Sequence, residues 1–383
     1  MNMEKLPTID YESRENCFKK MEHVKSRLIC GDPSLIPEPW LTVFVPTYKR
    51  VNLLEEALRS VLTQWHTNFF WDIVVVDNEP DDGKENDTER LIRKLDSERI
   101  LYYRNSENVC PADNFNRGIL LSRGKWVTML HDDDLLVADT LQKLGKLIEL
   151  YDRPAIPLGA IAAQYIQFDY DSARNEVKAD IPGMNKYLCE HPLNTSMYHL
   201  THKNVEILGH IGGSVPSNGT TFLRKAVLDA GGFNDNYGIS GDLILFYNIE
   251  NEYAVYQTLT PLGFYRWGSN SMVKRESTYR TIRDGYLFRE YVYKKHRIVG
   301  KLFRNCHYYR FTKDVLNERN RVCSDQLTLK DYDDLYSKRP NMLWYLFYRV
   351  VIGRIYSLYK KRESQSTAKK LMRKQEREQK QED

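Results

Sequence analysis

The sequence predicts an α/β fold: a mainly parallel, twisted sheet flanked by helices, with a helical C-terminal extension. Three observations carry this. Strand-like and helix-like segments alternate from Leu41 to Asp134, the pattern of a parallel sheet built from right-handed crossovers. "DIVVVDN" (72–78) is a continuous apolar run, as expected of a strand covered on both faces. Polar clusters then follow successive strands: Pro46-Thr47-Tyr48, Asp77-Asn78 and His131 to Asp134.

Residues 1–39 read as a polar, partly helical lead-in ending in the proline-rich "DPSLIPEPW". The first strong strand is "LTVFVPTY" (41–48). "VNLLEEALRSVLTQ" follows as a helix, with Leu53, Leu54, Ala57, Leu58, Val61 and Leu62 at helical spacing. After the strand at 72–78, a charged turn and a helix over 84–96 lead to the strand "RILYYRN". "PADNFNRGILLSRG" reads as a helix ended by Gly124, and "KWVTMLHDDD" as the next strand.

The bulk composition excludes several classes. Hydrophobic content of 42% and charged content of 28% describe an ordinary globular chain. The six cysteines are scattered and form no CxxC pair, which fits reduced thiols in a cytosolic protein better than a zinc site or a disulfide framework. The N-terminal "MNMEKLPTIDYESRENC" has acids and no apolar core, unlike a signal peptide, and no apolar run approaches a membrane span. The net charge of +4 sits in the tail: residues 341–383 hold eleven Lys and Arg against five Asp and Glu. The body is therefore slightly acidic, and nucleic acid is not an expected partner.

Parallel sheets bind ligands at the carboxyl ends of their strands, where the three polar clusters would converge. The acids of "LHDDDLL" repel one another and are costly near a core unless a cation compensates them. Neither GxGxxG nor GxxxxGK[ST] follows any of these strands, which weighs against a dinucleotide-dependent dehydrogenase or a P-loop enzyme. A nucleotide diphosphate held without such a loop needs another counter-charge. Mg²⁺ or Mn²⁺ bridged to carboxylates supplies one.

"VFVPTYKRVNLLEEALRSVLTQ", "DIVVVDN" and "NVCPADNFNRGILLSRGKWVTMLHDDDLL" together resemble a family 2, GT-A-fold glycosyltransferase, over residues 40–270. Members are inverting enzymes using nucleotide-diphosphate sugars, usually UDP-linked, and many build bacterial capsule, lipopolysaccharide or exopolysaccharide units on a lipid carrier. The resemblance implies that Pro46, Thr47 and Arg50 lie along the nucleotide and that Asp77 accepts from the uracil N–H. It places Asn114 and Asn116 on a helix under the nucleotide and Asp132 to Asp134 at the DxD region. Where members often read "LDADD", this chain has "LHDDD", so the pair is open. Asp132 is assigned to the ribose side and as a metal ligand with Asp134, and Asp133 adjoins them.

"GTTFLRKAVLDAGGFNDNYGISGDLILF" matches the acceptor-side segment and places Asp242 as general base at a helix start. There the helix dipole favours a carboxylate, and inversion needs one base opposite the leaving diphosphate. "FYRWGSNSMV" (264–273) resembles the segment closing the core, with Arg266 and Ser269 as candidates to reach the diphosphate. The implied organisation is a lead-in (1–39), a GT-A domain (40–275) divided into nucleotide-binding (40–136) and acceptor-side (137–275) halves, a helical extension (276–340) and a basic amphipathic tail (341–383).

Simpler readings compete. Asp242 alone is compatible with an N-cap, and Asp77 with a turn. His199 and His202 are spaced to chelate a metal, but without a third ligand they read as packing or surface residues. In the tail, Trp344, Phe347, Val351, Ile355 and Leu358 form an apolar helical stripe with Arg349 and Lys360 on the far side. Such a face suits an anionic membrane surface, and equally a helix packed on the catalytic domain. The expected activity is inverting, metal-dependent sugar transfer to a lipid-linked glycan at the cytoplasmic face of the plasma membrane. The rivals are a non-catalytic sugar-binding protein of the same fold and a sugar-nucleotide nucleotidyltransferase. The latter should carry a glycine- and basic-rich loop that "PTYKRVN" lacks.

Overall fold

The computed structural model describes residues 9–361, apart from 13–14, 154, 172–175, 212–216, 269–273, 333–338, 355–356 and 359–360. Among the described residues, the strands are β1 (Ser26–Cys30), β2 (Leu41–Thr47), β3 (Trp71–Asp77), β4 (Ile100–Asn105), β5 (Trp126–Met129), β6 (Leu135–Leu136), β7 (Leu158–Asp171), β8 (Glu176–Val177), β9 (Met197–His199), β10 (Thr221–Leu223) and β11 (Ala254–Trp267). The helices are α1 (Val51–Leu62), α2 (Asp87–Leu95), α3 (Pro111–Leu121), α4 (Thr140–Tyr151), α5 (Ile181–Glu190), α6 (His202–Ile211), α7 (Arg224–Asp229), α8 (Gly241–Ile249), α9 (Arg275–Lys295), α10 (Arg297–Val322) and α11 (Met342–Phe347).

The sheet runs β1-β4-β3-β2-β5-β10-β7-β11-β6, with β8 on β7 and β9 on β11. The mainly parallel, helix-flanked sheet expected from the sequence is present. Strands β4, β3, β2 and β5 are parallel, as are β7 and β11, while β10 joins the two groups antiparallel to both its neighbours. Every residue of β2 and β3 is buried, because alternate side chains serve two cores. Val43, Val45, Ile73 and Val75 pack with Leu54, Leu58 and Val61 of α1 and Leu144 and Ile148 of α4. Phe44, Val74 and Val76 face the other way, with Ile119 of α3, Ile244 and Phe246 of α8, and Leu287 and Phe288 of α9.

Two expectations are corrected. The lead-in belongs to the sheet: β1 pairs antiparallel with β4, and Tyr11 stacks on Tyr237 at 5.4 Å. Helix α3 ends at Leu121 rather than Gly124, because Ser122 turns extended while its Oγ bonds the Gly118 carbonyl at 2.7 Å. Gly124 serves a close approach instead, since a Cβ there would lie 2.6 Å from the Thr42 backbone nitrogen.

The C-terminal helices are integral. α9 turns one face to the main core through Leu287, Phe288 and Val292. Its Ile282, Tyr286 and Tyr293 pack with Tyr308 and Leu316 of α10. Tyr345 and Tyr348 anchor α11 beside Cys306 and Phe303. Leu343 (79% exposed), Leu346 (50%) and Val350 (49%) remain on the outside. No helix among the described residues is long and apolar enough to cross a membrane.

Candidate active site

The parallel register of β2 and β5 pairs Phe44 with Met129. Three residues on from each, Thr47 meets Asp132: its Oγ1 donates to Asp132 Oδ2 at 2.8 Å. Arg50, one residue before α1, donates to Asp132 Oδ1 (3.3 Å) and Asp133 Oδ2 (3.0 Å). Burial and the neighbouring Asp133 charge together push the Asp132 carboxyl up to about 6.

The pairing of β6 with β11 sets Leu135 against Phe264, which brings Arg266 over the aspartate loop. Its backbone N–H donates to Asp134 Oδ1 at 2.7 Å and its Nε to the Asp133 carbonyl at 2.8 Å. Asp134 is fully buried, and its Oδ2 has no hydrogen-bond partner. Burial, then Asp133, holds this carboxyl well above the ordinary range. His131 lies with Nδ1 4.0 Å from that Oδ2, and its own buried Nε2 is also unpartnered. One donor atom each from His131, Asp133 and Asp134 lies within 4.8 Å of the others. An orphaned carboxylate oxygen beside an imidazole and a second carboxylate fits a divalent cation chemically. Of the metal pair expected from the sequence, Asp134 lies in this cluster with His131 and Asp133, while Asp132 accepts from Thr47 and Arg50.

Asp242 sits in the first turn of α8. Its Oδ2 accepts from both the backbone N–H and the Oγ of Ser217, each at 2.9 Å. Oδ1 carries no hydrogen bond among the described residues. Burial raises the carboxyl above its ordinary pKa, against the lowering effect of Ser217 and the His131 charge. The next residue, Asn218, accepts the His131 N–H at 3.0 Å. Ser217 and Asn218 thus tie Asp242 to the aspartate loop. Nothing in their local sequence marks them, because their role depends on where β10 enters the sheet.

A cleft of about 880 Å³ unites these groups. Pro46, Thr47, Arg50, Asn114, Asp132, Asp133 and Asp242 all line it, together with Tyr48, Asn78, His131 and Asn218, which the sequence reading did not assign. Four other expected residues do not line it: Asp134 is fully buried within the aspartate loop, and Asp77, Asn116 and Arg266 lie behind the wall. Asp77 is fully buried; Oδ1 accepts from the Glu79 N–H (2.9 Å), and Oδ2 from Asn86 (3.0 Å) and the Tyr102 hydroxyl (2.8 Å). Its carboxylate is engaged inside the protein, and Asn78 takes its place on the wall. Asn116 clamps Phe233 through both backbone groups, each at 2.8 Å, so it fastens α3 to the Gly-Gly-Phe turn rather than holding nucleotide. Arg266 is 1% exposed and bonded to Glu56 at 2.6 Å, so it braces the aspartate loop rather than facing a diphosphate.

Asn116→Ala should therefore cost stability, about 1–3 kcal/mol for two buried backbone groups left unpaired, with nucleotide affinity little changed. Chemical denaturation and nucleotide titration check this; a large affinity loss at unchanged stability would restore Asn116 to the binding surface.

Ser269 lies outside the described residues. His199 stacks on Tyr256, while His202 bonds the Tyr247 carbonyl at 2.8 Å.

The chain is similar to known proteins over part of its length. An uncharacterized glycosyltransferase of Rickettsia bellii is 32% identical over 109 residues, covering 28% of this chain and 15% of that protein. The GalNAc(5)-diNAcBac-PP-undecaprenol beta-1,3-glucosyltransferase of Campylobacter jejuni is 36% identical over 109 residues, or 28% of this chain and 33% of that enzyme. The chain thus matches a third or less of the length of these relatives. Among solved structures, the mannosyltransferase PcManGT of Pyrobaculum calidifontis, in complex with GDP-Man and Mn²⁺, has a TM-score of 0.47 at 16% identity, covering 92% of this chain and 90% of that one. Residues 42–207 match the family description "Glycosyl transferase family 2", and through that segment the chain is similar to glycosyl transferase family 2.

Proposed function

We propose that this chain transfers a sugar, with inversion, from a nucleotide-diphosphate sugar, UDP-linked, to a hydroxyl of a lipid-linked glycan in bacterial surface-polysaccharide assembly. One observation carries the proposal: a single cleft is lined both by Asp242, whose Oδ1 carries no hydrogen bond among the described residues, and by the aspartate loop bearing a metal-fitting donor set. Asp242 Oδ1 takes the proton of the acceptor hydroxyl as that oxygen attacks the anomeric carbon. Ser217 holds the carboxylate in place for this through Oδ2. Arg50 and Thr47 fix Asp132 and Asp133 at the nucleotide end, and Arg266 fixes Asp134 from behind. His131, Asp133 and Asp134 would hold Mn²⁺ or Mg²⁺, and the imidazole donor favours Mn²⁺. Such an ion, when bound, offsets the charge growing on the departing diphosphate. Asn78, Tyr48 and Pro46 border the nucleoside end.

The test is nucleotide release from a panel of nucleotide sugars, with and without Mn²⁺ and a lipid-linked acceptor. Acceptor- and metal-dependent UDP release is expected. Binding without turnover would identify a non-catalytic sugar-binding protein.

The enzyme is proposed to rest on the cytoplasmic face of the plasma membrane through α11. What supports this is the start of the tail: Tyr345 and Tyr348 pack it onto α10, while Leu343, Leu346, Phe347 and Val350 are exposed, joined by Ile298 and Leu302 of α10. Arg297 and Lys301 of α10, and Arg349 just past α11, are also exposed. Inserting each leucine is worth about 1.5–3 kcal/mol. The double change Leu343→Glu with Leu346→Glu should therefore move the protein from membrane to soluble fractions; an unchanged distribution would remove α11 from this role.

A further inference from the structure

The wall of the cleft furthest along the chain holds a cation that no acid among the described residues pairs with. Arg289, on α9, lines the cleft although it is only 6% exposed. Its partners are neutral. Nε donates to His307 Nε2 at 3.0 Å, Nη1 donates to the Gly285 carbonyl at 2.5 Å, and the guanidinium lies 4.1 Å from the centroid of the Phe311 ring. The ionisable groups acting on it are Tyr286, Tyr293, Tyr308 and Tyr348; no carboxylate pairs with it among the described residues. The other arginine of the cleft wall, Arg50, is already bound to Asp132 and Asp133.

A buried charge without a counter-ion costs several kcal/mol, and this one is held in place rather than released to solvent. Gly285 makes the arrangement possible. A Cβ there would stand 2.5 Å from Phe311 Cε1 and 3.0 Å from Arg289 Nη1, so only glycine lets ring and guanidinium close onto the helix. A planar donor fork kept dry and uncompensated is a receptor for an oxyanion.

Its position says which oxyanion. α9 packs against the turn leading into Asp242, where Ser240 Oγ donates to the Asp284 carbonyl at 3.3 Å. Arg289 therefore belongs to the acceptor side. Phe311 lies against it, Tyr165, Tyr265 and Trp267 line the same cleft, and these rings offer faces suited to sugars. Behind it, Tyr348 connects to α11 and its exposed apolar face.

We propose that Arg289 binds a phosphate of the acceptor, so that the α9–α10 wall takes a glycan carried on a prenyl phosphate or diphosphate. This rests on the cleft being a glycosyltransferase site, and the test separates the two ideas. The intact protein and its Arg289→Gln and Arg289→Lys variants are titrated calorimetrically with a short-chain prenyl diphosphate, the matching prenyl alcohol, and UDP with Mn²⁺. The wild type is expected to prefer the diphosphate over the alcohol by about tenfold or more, the worth of a charge-assisted hydrogen bond. Arg289→Gln should abolish that preference while UDP affinity stays within about twofold, and Arg289→Lys should keep part of it, having the charge without the fork. No preference in the wild type overturns the proposal, whether or not the variants fold. Equal diphosphate affinity in wild type and Arg289→Gln overturns it too. A parallel loss of UDP affinity would assign Arg289 to the donor, again overturning it. A diphosphate preference in a protein that binds no UDP would support the anion receptor and count against the glycosyltransferase reading.

Discussion

Asp242→Asn is expected to lower turnover by about 10³-fold, the usual worth of a positioned general base, while nucleotide affinity stays near that of the wild type. The amide oxygen can still accept both Ser217 hydrogen bonds, so α8 should keep its place. What is lost is the capacity of Oδ1 to take a proton. The wild-type pH profile carries the same information. A base acts when deprotonated, and burial raises this carboxyl above its ordinary pKa. The acid limb of kcat should therefore lie above the normal carboxylate range, with activity falling as pH drops through it. The residual activity of the variant should lack that limb. Near-normal turnover, or an unchanged acid limb, would remove Asp242 from the chemistry.

Asp134→Asn is expected to weaken Mn²⁺ binding by more than about 100-fold, the upper end of what losing even a supporting partner costs a metal site. Turnover should fall with it. The fold should survive, because the asparagine oxygen still accepts the Arg266 N–H and a buried charge facing Asp133 disappears. Without metal, the variant should be at least as stable as the wild type. With UDP and Mn²⁺ at about a hundred times their dissociation constant, the wild type should gain about 2.7 kcal/mol and the variant little. Thermal unfolding with and without the ion reads both effects. An undiminished Mn²⁺ response in Asp134→Asn would place the ion elsewhere.

The sheet was legible because its strands are buried on both faces and so read as apolar runs: "LTVFVPT" and "WDIVVVD" form β2 and β3 with nearly the expected limits. β1 was not, since an edge strand with the burial of Ser26–Cys30 leaves no periodic apolar signal. At the site, the sequence located the carboxyl-end rim, because Thr47, Asp132 and Asp133 follow directly on strands. It could not say which side of a short loop each acid would face. Asp132 and Asp133 differ by one position and share Arg50, yet Thr47 holds the first, while the second lies with His131 and Asp134. Asp77 and Asn116 do not line the cleft for a related reason: an Asp or Asn near a rim can turn to a ligand or to the fold, and here both bond partners distant in sequence, Tyr102 and Phe233. Ser217, Asn218 and Arg289 are set by tertiary packing alone.

A crystal structure with UDP and Mn²⁺ bound should show the ion on His131, Asp133 and Asp134, the diphosphate beside it, and Asp242 facing the same space across the cleft. An ion held by other residues, or a diphosphate outside the cleft that Asp242 lines, would contradict the proposed function.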